Sequence, residues 1–240
     1  MIKLILNGAN GKMGQTVSNL AQGSKNIEIV YKADIDKPIK NAPTNADVIL
    51  DFSTSSALPQ VLDFALKNKT PIVLATTGYD EDQLEKIEAA SRFVPILRSA
   101  TMSIGANLLM KLGSLAAGAL GDSFDVEILE KHHNKKIDAP SGVALALANS
   151  ISNVKKNSQY IYERASRRGA REVNEIGISS IRGGTIVGEH TVLFAGPSEV
   201  VELTHKAESR EIFAVGALKA VQFIADKPAK LYSMQDVIGI

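Results

Sequence analysis

The chain of 240 residues contains no cysteine. That absence excludes disulfides, thiolate nucleophiles and cysteine-ligated metals, and it fits a reducing, cytoplasmic setting. Charge of one sign is not in excess either, since 27 Lys and Arg face 26 Asp and Glu for a net of +1. No nucleic-acid partner and no charged tail are therefore expected. The longest apolar stretch, Ile104 to Leu120, is interrupted by Asn107 and Lys111. It is read as too short and too polar for a membrane span, so no membrane partner is expected. A first strand expected from Ile2 leaves no room for a signal peptide. Internal repeats, low-complexity segments and an HExxH zinc pattern are also missing. What remains is a charge-balanced composition with 45% hydrophobic residues, that of a globular protein with one large or two smaller domains.

Residues Ile2 to Leu6 read as a buried parallel strand, and an amphipathic helix runs to about Gln22. Between them Gly8, Gly11 and Gly14 follow the spacing GxxGxxG. The first glycine permits a tight turn, the second lets backbone approach a pyrophosphate, and the third lets helix and strand pack closely. Gly8, Ala9, Asn10, Gly11, Lys12 and Met13 thus form an expected dinucleotide loop. A second strand is expected from Ile27 to Ile35. An acidic residue about 20 positions past the glycines should hold the adenosine ribose, and Asp36 at the strand's end is chosen over Asp34. Lys37 and Lys12 are placed to meet a 2′-phosphate, so both NADH and NADPH are expected as cofactors.

Pro38 to Ala46 is too short and proline-rich for a crossover helix. Further strands are expected at Asp47–Phe52, Pro71–Ala75 and Val94–Leu97, alternating with helices at about Ala57–Lys69 and Glu81–Ser91. This alternation predicts a Rossmann-like, parallel, doubly wound sheet whose ligand lies at the carboxyl ends of the strands. Ala75, Thr76 and Thr77, then Ser99, Ala100, Thr101 and Met102, occupy such ends and outline a nicotinamide pocket.

After Met102 the pattern changes. A helix from Ile104 to Leu120 and a strand from Phe124 to Leu129 lead into a loop, Glu130 to Gly142. Ser141 is a good N-cap for the apolar run to Ile151. Strands are expected at Ile178–Arg182, Thr185–Glu189, Thr191–Ala195 and Glu199–Lys206, then a helix from Arg210 to Asp226 and a short tail. The reading is an α/β chain: a dinucleotide domain, 1–103, an inserted α+β domain on a mixed or antiparallel sheet, 104–211, and a return helix and tail, 212–240. The loop places two adjacent histidines and two adjacent lysines beside a helix N-terminus, whose free N–H groups attract anions. That suits a small, multiply anionic substrate that must be protonated. Adjacent histidines on extended chain point to opposite sides, so no metal site is expected. Asp138 reads as turn-forming, Glu130 as orienting a loop histidine, and His190 and His205 as structural residues of strands.

The run EKHHNKKIDAPSG, Glu130 to Gly142, closely resembles the signature of the dihydrodipicolinate reductase family, roughly E-x-H-H-x-x-K-x-D-A-P-S-G-T-A. Val143 stands where threonine is usual. GANGKMG, ATTG, SATMSIG, RGGTIVGEHTVLFAG and ELTHKAESR resemble other stretches of that family, so the likeness covers the whole chain. It implies an NADH- or NADPH-dependent reductase of diaminopimelate and lysine biosynthesis. Such an enzyme reduces the cyclic imine dicarboxylate formed from 4-hydroxy-tetrahydrodipicolinate to tetrahydrodipicolinate. It also implies a homotetramer joined through the substrate-domain sheets. By position the resemblance makes His132 a proton donor or acceptor, Lys136 an acid that also meets substrate, and His133 a substrate ligand. Gly142 and Val143 would bind a carboxylate through backbone N–H groups at the helix start made by Ser141. Hydride addition to a conjugated imine builds negative charge that a protonated side chain neutralises, in keeping with those roles. Two other readings stay open: a different two-domain nicotinamide dehydrogenase for an amino or imino acid, and a non-catalytic NAD(H) sensor. Neither needs the HH-x-x-K pattern.

Overall fold

Strands apolar on both faces build the first sheet, as burial on both sides requires. The computed structural model describes residues 1–239. β1 (Ile2–Asn7), α1 (Lys12–Gln22), β2 (Ile27–Ala33), β3 (Val48–Asp51), α2 (Leu58–Asn68), β4 (Ile72–Leu74), α3 (Glu81–Ser91) and β5 (Ile96–Arg98) follow one another. All strand pairs are parallel, in the order β5-β4-β3-β1-β2. Alternate residues feed two cores. Leu4, Leu6, Leu50, Val73 and Leu97 pack with Val17 of α1. Ile5, Ile49, Ile72 and Ile96 pack with α2 and α3 on the other face. α3 starts at a reciprocal capping box between Asp80 and Gln83.

β2 stops at Ala33, two residues before the expected Ile35. Asp34 and Lys37 exchange backbone hydrogen bonds of 3.0 and 3.1 Å. The tight turn they close takes Ile35 and Asp36 out of the strand and leaves Asp34 as the first residue beyond it.

The second unit alternates instead. α4 (Ile104–Leu120) precedes β6 (Asp125–His132), α5 (Gly142–Ser152), β7 (Gln159–Ile161), β8 (Glu175–Arg182), β9 (Gly188–Gly196) and β10 (Glu199–Ala207). The sheet order is β10-β9-β6-β8-β7. β6 pairs parallel with β8 and antiparallel with β9, so the sheet is mixed. Val126, Ile128, Ile176, Ile178, Val192 and Phe194 meet Leu109, Leu147 and Ile151 of α4 and α5 in one core. The opposite sheet face carries Leu129, Leu193 and an Ile181 that is 44% exposed. With its following 3-10 turn, α4 makes a helical run of 20 residues, long and apolar enough by length and composition to cross a membrane. The expectation that this stretch is too short is thereby corrected. In this unit its Leu109, Met110 and Ala117 are core residues against the sheet.

Three further differences have local causes. β6 runs past Leu129 to His132 because buried and half-buried residues keep alternating to its end. Thr185–Glu189 is not a strand of its own; Gly184, at φ +48°, extends the turn, and one strand, β9, starts at Gly188. β7, too short and polar to be expected, is held beside β8, and Arg164 and Arg167 pair with Glu175 at 2.7 and 2.9 Å nearby.

The chain then enters α6 (Glu211–Ile224), β11 (Leu231–Tyr232) and α7 (Met234–Ile238). α6 supplies Ala214, Ala217 and Val221 to the first core, and β11 pairs parallel with β5 as the sixth strand. The expected short tail is thus a strand and a capped helix, with Ser233 and Asp236 forming the capping box. The chain divides into two compact units: Met1–Ile104 with the stretch from Glu211 onward, and Gly105–Arg210.

Candidate active site

In the first unit the site is built on backbone. Gly8 sits at φ +78°, and a Cβ there would lie 2.5 Å from the Phe52 carbonyl oxygen, so no side chain fits. α1 has no side-chain N-cap, and its first intrahelical bond is Gln15 N to Gly11 O at 2.9 Å. The N–H groups of Lys12 and Met13 precede that bond, as an anion cradle requires. Beside the loop lies a cavity of about 490 Å³ walled by Gly8, Gly11, Asp34, Ile35, Phe52 and Gln60 among others. An adjoining groove brings Gly11, Lys12 and Met13 together with Ala75, Thr76 and Thr77. The bare glycines, free N–H groups and open strand ends fit a nicotinamide dinucleotide.

Not every expected residue faces that space. Asp34, not Asp36, is on the cavity wall and accepts from the Asn10 N–H at 2.8 Å. Asp36 is exposed, with the Asn10 side-chain amide 3.4 Å away. The Lys37 ammonium rests over the Tyr31 ring, 4.3 Å from its centre. Ala9 and Met102 are buried in the apolar core. Ser99 and Thr101 fold on each other, the Ser99 hydroxyl donating to the Thr101 carbonyl at 2.8 Å. Ala100 beside them is exposed.

In the second unit the site grows from the end of β6. Period-two alternation turns Glu130 and His132 inward with Val126 and Ile128. Glu130 has no exposed surface, so its charge needs partners. Arg182 supplies a fork, donating to both carboxylate oxygens at 2.8 Å, and the Ser141 N–H donates at 3.2 Å. A bond of 2.6 Å joins Glu130 to Nδ1 of His132, and the Ser180 side chain is a further partner. Burial opposes ionisation of Glu130, but Arg182, Ser180 and His132 outweigh it and hold the carboxyl at about 2. Burial lowers the His132 imidazole, with Glu130 opposing and Lys136 and Arg182 assisting. Gly188 packs against the ring, and a Cβ there would meet Nε2 at 3.1 Å.

Arg182 also donates to the Asp138 carbonyl at 2.6 Å, tying the His133–Pro140 loop to the same cluster. Inside that loop Lys136 Nζ donates to both Asp138 oxygens at 2.8 and 2.9 Å. His133 turns away from His132 and lies 3.3 Å from the Arg210 guanidinium. Ser141 caps α5 by accepting from Ala144 N at 3.2 Å. The N–H groups of Gly142 and Val143 come before the first intrahelical bond, Leu145 N to Ser141 O. Nε2 of the buried His190 meets the Ser141 hydroxyl at 2.9 Å, and burial, then His132, pushes that imidazole down to about 4.

His132, Lys136, Ser141, Gly142 and Val143 therefore belong to one cluster, with His133 at its rim. Arg182, Arg210 and the link from His190 to Ser141 were not anticipated. A buried Glu130 implies a cationic partner, but choosing Arg182 requires the β6–β8 register that sets it opposite His132.

Comparison with known proteins gives the following. Residues 2–102 match the family described as dihydrodipicolinate reductase, N-terminus, and residues 105–238 match its C-terminus. The chain is 47% identical to a 4-hydroxy-tetrahydrodipicolinate reductase of Caldanaerobacter subterraneus subsp. tengcongensis, over 99% of this chain and 98% of that one. Identity to the same enzyme of Clostridium perfringens is 46%, over 100% and 99%. Among solved structures, a dipicolinate-bound dihydrodipicolinate reductase from Paenisporosarcina sp. TG-14 superimposes with a TM-score of 0.79 at 27% identity, covering 99% of both chains.

Proposed function

Because the chain belongs to the dihydrodipicolinate reductase family, we propose that its two units divide one reduction between them. The reaction is that of 4-hydroxy-tetrahydrodipicolinate, by way of its dehydrated cyclic imine, to tetrahydrodipicolinate in lysine and diaminopimelate biosynthesis. The first unit holds the nicotinamide dinucleotide, which supplies the hydride when bound. The N–H groups of Lys12 and Met13 take the pyrophosphate, and Ala75 to Thr77 with Ser99 to Met102 flank the nicotinamide. Asp34 on the cavity wall now stands beside Asp36 as ribose partner. Lys12 and Lys37 offset carboxylate repulsion of a 2′-phosphate, so NADH and NADPH both serve.

The second unit holds the dicarboxylate and moves the proton. Gly142 and Val143 direct their N–H groups at one carboxylate, with the dipole of α5 behind them. The Glu130–His132 bond is the observation that carries this reading. Glu130 accepts from Nδ1–H, so Nε2 is the nitrogen through which His132 exchanges a proton, and Glu130 stabilises the imidazolium. Lys136 is held by the exposed Asp138, a partner it can leave for the substrate nitrogen, where it neutralises the charge that builds as the imine is reduced. His133 and Arg210 are placed as further ligands for the dianion. The helix-free sheet face with Leu129, Ile181 and Leu193 suits pairing of copies into a homotetramer, and light scattering would read its mass. The location fitting this pathway is cytoplasmic.

The deciding experiment supplies aspartate semialdehyde and pyruvate through the upstream synthase and follows NADH or NADPH absorbance. Consumption dependent on both carbon substrates is expected. Cofactor binding without turnover would favour a nucleotide sensor instead.

A further inference from the structure

Asp51 ends β3 with no exposed surface. Its carboxylate gathers side chains from the ends of three strands. Asn7, closing β1, donates its amide to Oδ1 at 2.7 Å, and the Ser53 hydroxyl donates to the same oxygen at 2.5 Å. Thr76, beyond β4, donates its hydroxyl to Oδ2 at 2.8 Å. Backbone bonds tighten the same junction: Phe52 N to Asn7 O at 3.0 Å and Ala75 N to Asp51 O at 2.9 Å. Asn7, Ser53 and Thr76 line the dinucleotide cavities, whereas Asp51 lines neither.

Donors stand at both oxygens, with Asn7 Nδ2 and the Ser53 N–H and hydroxyl at Oδ1 and the Thr76 hydroxyl at Oδ2. This is the arrangement of an ionised carboxylate, which only accepts, whereas a hydroxyl can do either. Asp51 therefore fixes the direction of its neighbours: Ser53 and Thr76 spend their protons inward, and their remaining lone pairs are what they can offer a ligand. Asn7 Nδ2 also donates to Ser53 Oγ at 3.1 Å, in keeping with that polarity. The same carboxylate pins the chain on either side of the close approach between Gly8 and the Phe52 carbonyl, which leaves no room for a side chain. We propose that Asp51 is a positioning residue for the cofactor: it orients the Ser53 and Thr76 hydroxyls as acceptors for N–H and O–H donors of the nicotinamide dinucleotide. It does so without touching the cofactor.

The inference rests on the cofactor reading of the first unit, and the test separates the two. NADH binding to the full-length wild type, Asp51→Asn, Thr76→Val and the double variant is followed by fluorescence, dipicolinate binding by calorimetry, and folding by circular dichroism. Asn keeps the shape of Asp but puts a donor where an acceptor was, which forces a neighbouring hydroxyl to reverse. Asp51→Asn should weaken NADH by about three- to tenfold, the scale of one hydrogen bond between neutral groups, with dipicolinate affinity held within about twofold. Thr76→Val should weaken NADH in the wild-type background and add little in the Asp51→Asn background, because the two act through one bond. Unchanged NADH affinity in folded Asp51→Asn, additive losses, or equal losses of NADH and dipicolinate would each overturn the proposal. Should Asp51→Asn not fold, Thr76→Val and Ser53→Ala carry the test, and unchanged NADH affinity in both overturns it. A wild type that binds dipicolinate but no NADH would remove the cofactor reading itself, and this inference with it.

Discussion

Asp51 in the first unit and Glu130 in the second are both carboxylates with no exposed surface, and they are held in opposite ways. Asp51 meets only neutral donors, a side-chain amide, two hydroxyls and the Ser53 N–H. Glu130 meets the Arg182 guanidinium and an imidazole. Burial raises Asp51 above its ordinary 3.8 despite its hydrogen bonds. Burial also opposes ionisation of Glu130, yet its partners bring it from 4.5 to about 2. The number of hydrogen bonds does not separate the two; the charge of the donors does. On the reading proposed above, the first unit's carboxylate directs neutral groups toward the cofactor, and the second unit's holds a histidine that exchanges a proton.

If that division is right, damage to one unit should leave the other's binding intact. The largest effect is expected for Lys136→Ala, with turnover falling by about two to four orders of magnitude and NADH affinity unchanged. Near-normal turnover would remove Lys136 from proton transfer. Next comes a contrast in pH dependence. Glu130 is lowered on folding, so its stabilisation is complete above pH 4.5 and is lost as pH falls toward 2. Asp51 is raised, so its contribution runs the other way, complete below 3.8 and lost as pH rises through its folded value. Urea unfolding across acid pH should therefore show Glu130→Gln falling further behind wild type as pH rises through the first window. That deficit should reach about 3–5 kcal/mol, the scale of breaking a buried pair. Asp51→Asn should gain on wild type as pH rises. Slopes of the same sign would break the comparison.

A smaller effect belongs to His190. Burial takes it from 6.5 to about 4, so between those values the unfolded chain binds more protons and stability falls as pH falls. The fully developed loss is roughly 3 kcal/mol, and His190→Gln should flatten it while still meeting Ser141. An unaltered slope in the mutant would assign it to other groups, His132 first. The smallest is Val143→Thr. Val143 leans on the apolar core of its unit, so a hydroxyl there gives up packing while offering a donor to the dicarboxylate. Substrate binding should tighten by less than about tenfold, read as the Michaelis constant at saturating NADH. A raised constant would mean that packing outweighs the new bond.

Legibility in the sequence differed between the units for a physical reason. The GxxGxxG loop between a strand and a helix is written in adjacent residues, and so was most of the first sheet. Asp36 is chosen over Asp34 on spacing and on a strand expected to reach Ile35, neither of which registers a turn closed by backbone bonds between Asp34 and Lys37. Asp51 looked like any acid at a strand end, because its three partners lie up to 44 positions away. In the second unit the HH-x-x-K loop and the Ser141 cap were readable locally. Glu130 was suspected of orienting a histidine, yet stopping the strand at Leu129 hid that Glu130 and His132 share its inward face. Arg182 needed a parallel register, and no sequence period reveals which strand lies beside which.

That register also bears on the order in which the molecule assembles. β9 and β10 are neighbours in sequence and pair across a short turn from Gly196 to Glu199, a closure that costs little chain entropy. The pairing of His132 with Arg182 joins residues far apart and must bring β6 and β8 together in parallel, which is slow by its topology. In a pulsed hydrogen-exchange experiment the amides of the β9–β10 hairpin should gain protection first, and Gly183 N–H, bonded to the His132 carbonyl at 2.9 Å, among the last. The Glu130–His132–Arg182 cluster would then close only at the end of folding, so a chain released early carries the β9–β10 hairpin without it.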